Sequence, residues 1–132
     1  MKDRVYTVVK GNKKVMVVDY SGCNETEMIH IITIAKDKIL SENKHLLLLS
    51  IYGKETRVTK KFMDYIRKET PAVLPLLDKQ AVVGLDLIKK TILKGYNFLF
   101  RRNIRAFDSK EDAIEFLVSD TTTDRDIPDY MR

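Results

Sequence analysis

Most of the side chains in this 132-residue sequence that could do chemistry together stand in one short stretch, Asp19-Tyr20-Ser21-Gly22-Cys23-Asn24, with His30 shortly after it. A carboxylate, a hydroxyl, a thiol and an imidazole this close in the chain invite three readings. A nucleophilic triad could be assembled from Ser21, His30 and Asp19, but no G-x-S-x-G elbow presents the serine. A thiol phosphatase loop needs an arginine six residues after its cysteine, and Cys23 is followed there by Ile29. Nucleotide chemistry needs a phosphate-cradling glycine loop, and neither GxxxxGK[ST] nor GxGxxG occurs. These absences argue against an enzyme. One cysteine and two histidines, His30 and His45, also leave no internal disulfide and no CxxC or HxxxH pair for zinc, so neither a metal nor another cofactor is expected.

Binding remains. The unpaired N–H groups and dipole at a helix start favour an anion, so Ser21 to Asn24 could hold a phosphate or carry one on Ser21. The plainer role for Ser21 or Asn24 is to cap the helix that follows.

The surrounding pattern decides where this stretch sits. Arg4–Val9 and Lys14–Asp19 are β-branched runs around the turn Lys10-Gly-Asn-Lys13, which predicts a hairpin. From Glu25 to about Leu40 the period becomes helical, with Met28, Ile31, Ile32, Ala35 and Ile39 on one face and Asn24 as N-cap. His45–Ile51, built on the run Leu46 to Leu49, reads as a continuous apolar stretch interrupted only at Ser50, as in a central strand covered on both faces. A helix is predicted from near Val58 or Thr59 to Glu69, and a short one from Thr70-Pro71 through Leu77. Lys79–Gly84 reads as a fourth strand, followed by a helix ending at Gly95, and Asn103–Phe107 as a fifth. Asp108-Ser-Lys-Glu111 reads as a capping box opening the last helix. The expected fold is therefore α/β: a single open, mainly parallel sheet of four to five strands, opening with a hairpin, with helices mainly on one side.

Residues 1–118 fit one domain, and 119–132 read as a polar, flexible C-terminal tail. Apolar residues make up 44% of the chain, yet the longest runs are too short for a membrane span, and the N-terminal sequence has no secretory pattern. A cytoplasmic location is expected. Net charge is +5; the tail carries four Asp against two Arg, a charge of −2, which leaves +7 on the rest. The densest basic stretch, Lys89, Lys90, Lys94, Arg101, Arg102 and Arg105 around Tyr96, Phe98 and Phe100, reads as a solvated face, and no nucleic-acid partner is expected.

Val17-Val-Asp-Tyr-Ser-Gly22, the strand Leu46–Ile51, Lys79-Gln-Ala-Val-Val-Gly84 with Leu87-Ile-Lys-Lys90, and Phe107-Asp-Ser-Lys-Glu-Asp-Ala113 occur in an order that resembles the SpoIIAA-like group of the STAS superfamily. These small domains share a fold with CRAL-TRIO lipid-binding proteins. The resemblance spans about residues 4 to 118. It implies a domain that binds proteins or small ligands rather than catalysing. In the anti-sigma-factor antagonists of that superfamily a serine in an Asp-Ser-Ser-Gly context is phosphorylated to control partner binding. Asp19-Tyr20-Ser21-Gly22 is similar but precedes the first long helix, and the later junction that matches in position reads Ser50-Ile51-Tyr52-Gly53.

The expectation is thus a non-enzymatic binding or regulatory module acting through protein–protein contacts in bacterial-type signalling. Its binding residues would be Asp19, Ser21, Gly22, Asn24, Tyr52 and Gly53, with Ser21 open to phosphorylation, and it could form a homodimer. The alternative is a carrier of a small apolar or lipid-like ligand, its pocket drawn from Phe62, Tyr65, Leu74, Leu76, Leu77, Phe98, Leu99 and Phe100.

Overall fold

A computed structural model gives the fold, and it describes residues 1–119; the tail expected from Ser119 onward lies outside them apart from Ser119 itself. β1 (Val5–Lys10) and β2 (Lys13–Asp19) pair antiparallel across Gly11 and Asn12, as the two β-branched runs dictate. Asn24 caps α1 (Glu25–Glu42) through a capping box: Asn24 Oδ1 accepts from Glu27 N–H and the Glu27 carboxylate accepts from Asn24 N–H, each at 2.9 Å. The predicted apolar face of α1 is buried throughout.

β3 (Leu46–Ile51) runs parallel between β2 and β4 (Leu77–Val83) at the centre of the sheet. Between them lie α2 (Lys60–Glu69), capped by Thr59, and two single 3-10 turns at Thr70–Ala72 and Leu74–Leu76. The short helix expected there does not form as one piece. Thr70 lies inside the first turn rather than capping it, and Pro71 and Pro75 remove the amide donors that an α-helix would use.

α3 (Leu87–Phe100) corrects a second expectation. Gly95 lies inside it, and the left-handed position that ends it falls at Arg101, with φ 54°. An internal glycine costs only about 1 kcal/mol against alanine. The residues beyond it give the helix reason to continue, because Tyr96 and Phe100 pack ring to ring at 4.6 Å. β5 (Arg105–Phe107) follows, and α4 (Lys110–Val118) is capped by Ser109, not Asp108: Ser109 Oγ accepts from Asp112 N–H at 3.1 Å.

The five strands lie side by side in sequence order, β1-β2-β3-β4-β5, all parallel after the first pair. Crossovers that keep one hand and always step in one direction place their helices on one face. α1 and α2 accordingly pack on the face bearing Met16, Val18 and Leu48, and α3 lies over the same side. Among the described residues α4 alone covers the other face, over Val15, Val17, Leu49 and Ala81.

That second face contains a lysine in an otherwise apolar setting. Lys79 is only 2% exposed, and its ammonium donates to Phe116 O at 3.0 Å and Ser119 O at 2.9 Å while lying over the Phe116 ring. Lys13 donates to Val118 O at 2.9 Å. Two strand lysines thus satisfy carbonyls at the end of α4, where the helix dipole favours cations.

A candidate binding cavity behind the strand ends

The junction singled out by sequence is well formed and largely occupied with itself. Asp19 Oδ1 accepts from Ser21 N–H at 2.9 Å and from Ser21 Oγ–H at 2.6 Å. Arg4 Nη1 donates to Ser21 O at 2.7 Å and lies 3.8 Å from the Asp19 carboxylate. Gly22 takes φ 71°, and Asn24 is committed to capping α1. A carboxylate and serine this close build the turn that ends β2. A phosphate on Ser21 would stand against Asp19, an arrangement that like-charge repulsion disfavours. Cys23 is buried, and burial is the main cause that raises its thiol pKa.

The two loops expected to cooperate do meet in part. A Cβ on Gly53 would come 3.5 Å from Ser21 Cβ, so Gly53 borders the junction, with its N–H donating to Thr56 Oγ1 at 2.9 Å. Tyr52 turns the other way. Its ring stacks on Tyr20 at 5.0 Å and lines a part-open cavity, where burial and then the neighbouring Tyr96 raise its phenol pKa well above the ordinary range. Asp19, Ser21, Gly22 and Gly53 therefore form one surface site, Asn24 caps the adjoining helix, and Tyr52 belongs elsewhere.

The sequence offered residues for a pocket, and the cavity includes only some of them. It measures about 140 Å³ and lies between the helix-covered sheet face and α1, α2 and α3. Val18, Leu48 and Val82 form its floor, Ile32, Ala35 and Ile39 one wall, Tyr65 and Ile66 another, and Ile92, Leu93 and Tyr96 the wall contributed by α3. Of the aromatic and leucine residues proposed as a pocket, Tyr65, Leu74 and Leu77 line it; Phe62 is packed in the core beside Tyr20, and Phe98 and Leu99 point to solvent.

Polar groups edge this apolar space. Thr70 Oγ1 and Tyr96 Oη lie 2.8 Å apart, joining α2's end to α3. Lys36 donates to Glu69 at 2.8 Å, and this hydrogen bond is the main cause that raises the lysine's pKa and lowers the glutamate's. Gln80, 9% exposed in the middle of β4, lines the cavity with its Nε2 unpartnered. A buried donor without an acceptor costs about 1–3 kcal/mol. Lys89, 8% exposed, is the one buried residue of α3.

Gln80 had a sequence signal: a polar residue in a strand covered on both faces must be bonded or face a space. The basic stretch around α3 is not one stripe, because Lys89 and Arg102 are buried, Arg102 donating to Leu77 O at 2.6 Å. Among the described residues, no group of three or more His, Cys, Asp or Glu is placed to hold a metal ion, and no helix is long and apolar enough to cross a membrane. Comparison with family models, with curated proteins and with solved structures gives no match to this chain.

Proposed function

We propose that the protein is a non-enzymatic binding module that holds a small, mainly apolar molecule in the cavity between the sheet and α1, α2 and α3. The observation that carries this reading is the cavity itself. It is a part-open space of about 140 Å³ with mostly hydrocarbon walls, larger than the gaps that packed helices and sheets ordinarily leave between them. Its volume gives room for a benzene-sized guest.

Toluene is the direct probe. Added to the full chain, it is expected to raise the melting temperature and to shift the methyl resonances of Ile32, Leu48 and Val82, since a ligand that binds only the folded state stabilises it. Ala35→Leu, which fills the space, is expected to abolish both effects. Near-saturating toluene that moves neither the melting temperature nor these methyls would refute the reading.

A protein-interaction role in signalling is the second reading, and the outer face of α3 favours it. Leu87 and Ile88 at its start and Phe98 and Leu99 at its end are two exposed apolar pairs.

A further inference from the structure

We infer that the cavity's ligand is a small uncharged molecule with an apolar body of about one ring and a carbonyl oxygen that accepts from the hydroxyls of Tyr20 and Tyr52. This rests on the cavity reading and adds the chemistry of the guest.

Tyr20 and Tyr52 each follow their strand by one residue and continue the parallel ladder, Tyr20 N–H donating to Ile51 O and Tyr52 N–H to Val83 O, both at 2.8 Å. They are lateral neighbours. Each stands two residues beyond a member of the Val18–Ser50 pair, hence on the same sheet face, and both line the cavity. Their ring centroids lie 5.0 Å apart with planes 26° from parallel, close to the ~4.8 Å spacing of adjacent strands. Side chains rooted and stacked at one spacing carry their hydroxyls to the same end.

Neither hydroxyl has a hydrogen bond among the described residues, yet neither is sealed from access as Gln80 Nε2 is. Nor do they stand on the outer surface. Tyr20 is 4% exposed, and burial is the main cause that raises both phenol pKa values. The second cause is Tyr52 for Tyr20 and Tyr96 for Tyr52, which gathers the phenol oxygens in one part of the lining. A hydroxyl that is desolvated, accessible and unpartnered beside a cavity opens into it, and such a donor calls for an acceptor.

The acceptor that suits this place is neutral. Burial that keeps both phenols protonated also disfavours an anion beside them. Charge in the lining calls for none either, because Lys36 is paired with Glu69 at 2.8 Å and Lys89 with Asp86 at 3.6 Å. A carbonyl oxygen has two lone pairs and no charge, so it answers both phenols. A hydrocarbon leaves them unmatched, and an ammonium brings a charge that the lining does not balance. The volume limits the body to a single ring and little more.

Isothermal titration of the full chain with acetophenone, toluene, benzoate and benzylamine tests this. Acetophenone is expected to bind about tenfold tighter than toluene, and both ions at least about tenfold more weakly than acetophenone. Tyr20→Phe and Tyr52→Phe each delete one hydroxyl and keep the ring. Either is expected to lower acetophenone affinity about threefold or more, and the double variant to bring it to that of toluene, whose retained binding certifies the fold. Toluene binding as tightly as acetophenone, an ion binding tighter, or a double variant that still prefers acetophenone would overturn the carbonyl assignment and leave the cavity reading standing. Failure of all four probes to bind would overturn both.

Discussion

Gly84 is the residue at which the backbone leaves least room. A Cβ there would fall 1.7 Å from Tyr52 O, and φ is +89°. The contact follows from β3 and β4 ending together, with Tyr52 N–H donating to Val83 O at 2.8 Å. Gly22 offers the contrast, with φ +71° but nothing within 4 Å of an added Cβ. Gly84→Ala is therefore expected to destabilise by more than about 3 kcal/mol, or to prevent folding, and Gly22→Ala by only about 1 kcal/mol. Urea denaturation measures both, and equal losses would contradict the assignment of strain. At this scale the sequence was legible where a residue acts on its own neighbours. Asn24 could be read as a cap because capping is local, whereas Asp19 and Ser21 could not be divided between anion binding and turn formation, since the same atoms serve either.

Among the elements, α3 is held differently from α1. α1 buries Met28, Ile31, Ile32, Ala35 and Ile39 against the sheet, whereas α3 buries Lys89 alone and turns Ile92, Leu93 and Tyr96 toward the cavity. Helices with few buried apolar contacts open at low free energy. Hydrogen exchange in α3 is expected to be markedly faster than in the middle of α1, and a cavity guest to slow α3 selectively. Uniform protection of the two helices, with or without toluene, would count against this picture. Sequence periodicity could not separate the two helices. It reports which side chains point inward, and it is silent on whether another surface meets them. α4 shows the opposite case, in which the carbonyls of Phe116 and Ser119 meet Lys79 in a buried strand.

For the whole molecule, the alternation of strands and helices was enough to anticipate a mostly parallel sheet opening with a hairpin and helices mainly on one side. The cavity lies elsewhere than the strand-end loops, for a topological reason. Sheets that bind at their strand ends do so in a crevice where the strand order reverses, and an order of β1 to β5 without reversal has no such crevice. The space opens instead between layers, where the helix row stands off the sheet. The outer face of α3 has its own expectation at this scale. If it is an interface between copies of the chain, sedimentation equilibrium will show reversible association that Phe98→Asp with Leu99→Asp removes. A species that remains monomeric at every concentration would assign those residues to another partner or to none.

The side-by-side strand order also bears on how the chain assembles during synthesis. Each strand finds its neighbour in the segment made just before it, so the sheet can grow one strand at a time without waiting for distant sequence. Its second face is another matter. Val15, Val17, Leu49 and Ala81 stay uncovered until residues 110–118 emerge and fold across them. A ribosome stalled before α4 would thus carry a sheet dressed on one side only, an adhesive intermediate that the last short helix, pinned by Lys13 and Lys79, converts into a finished domain.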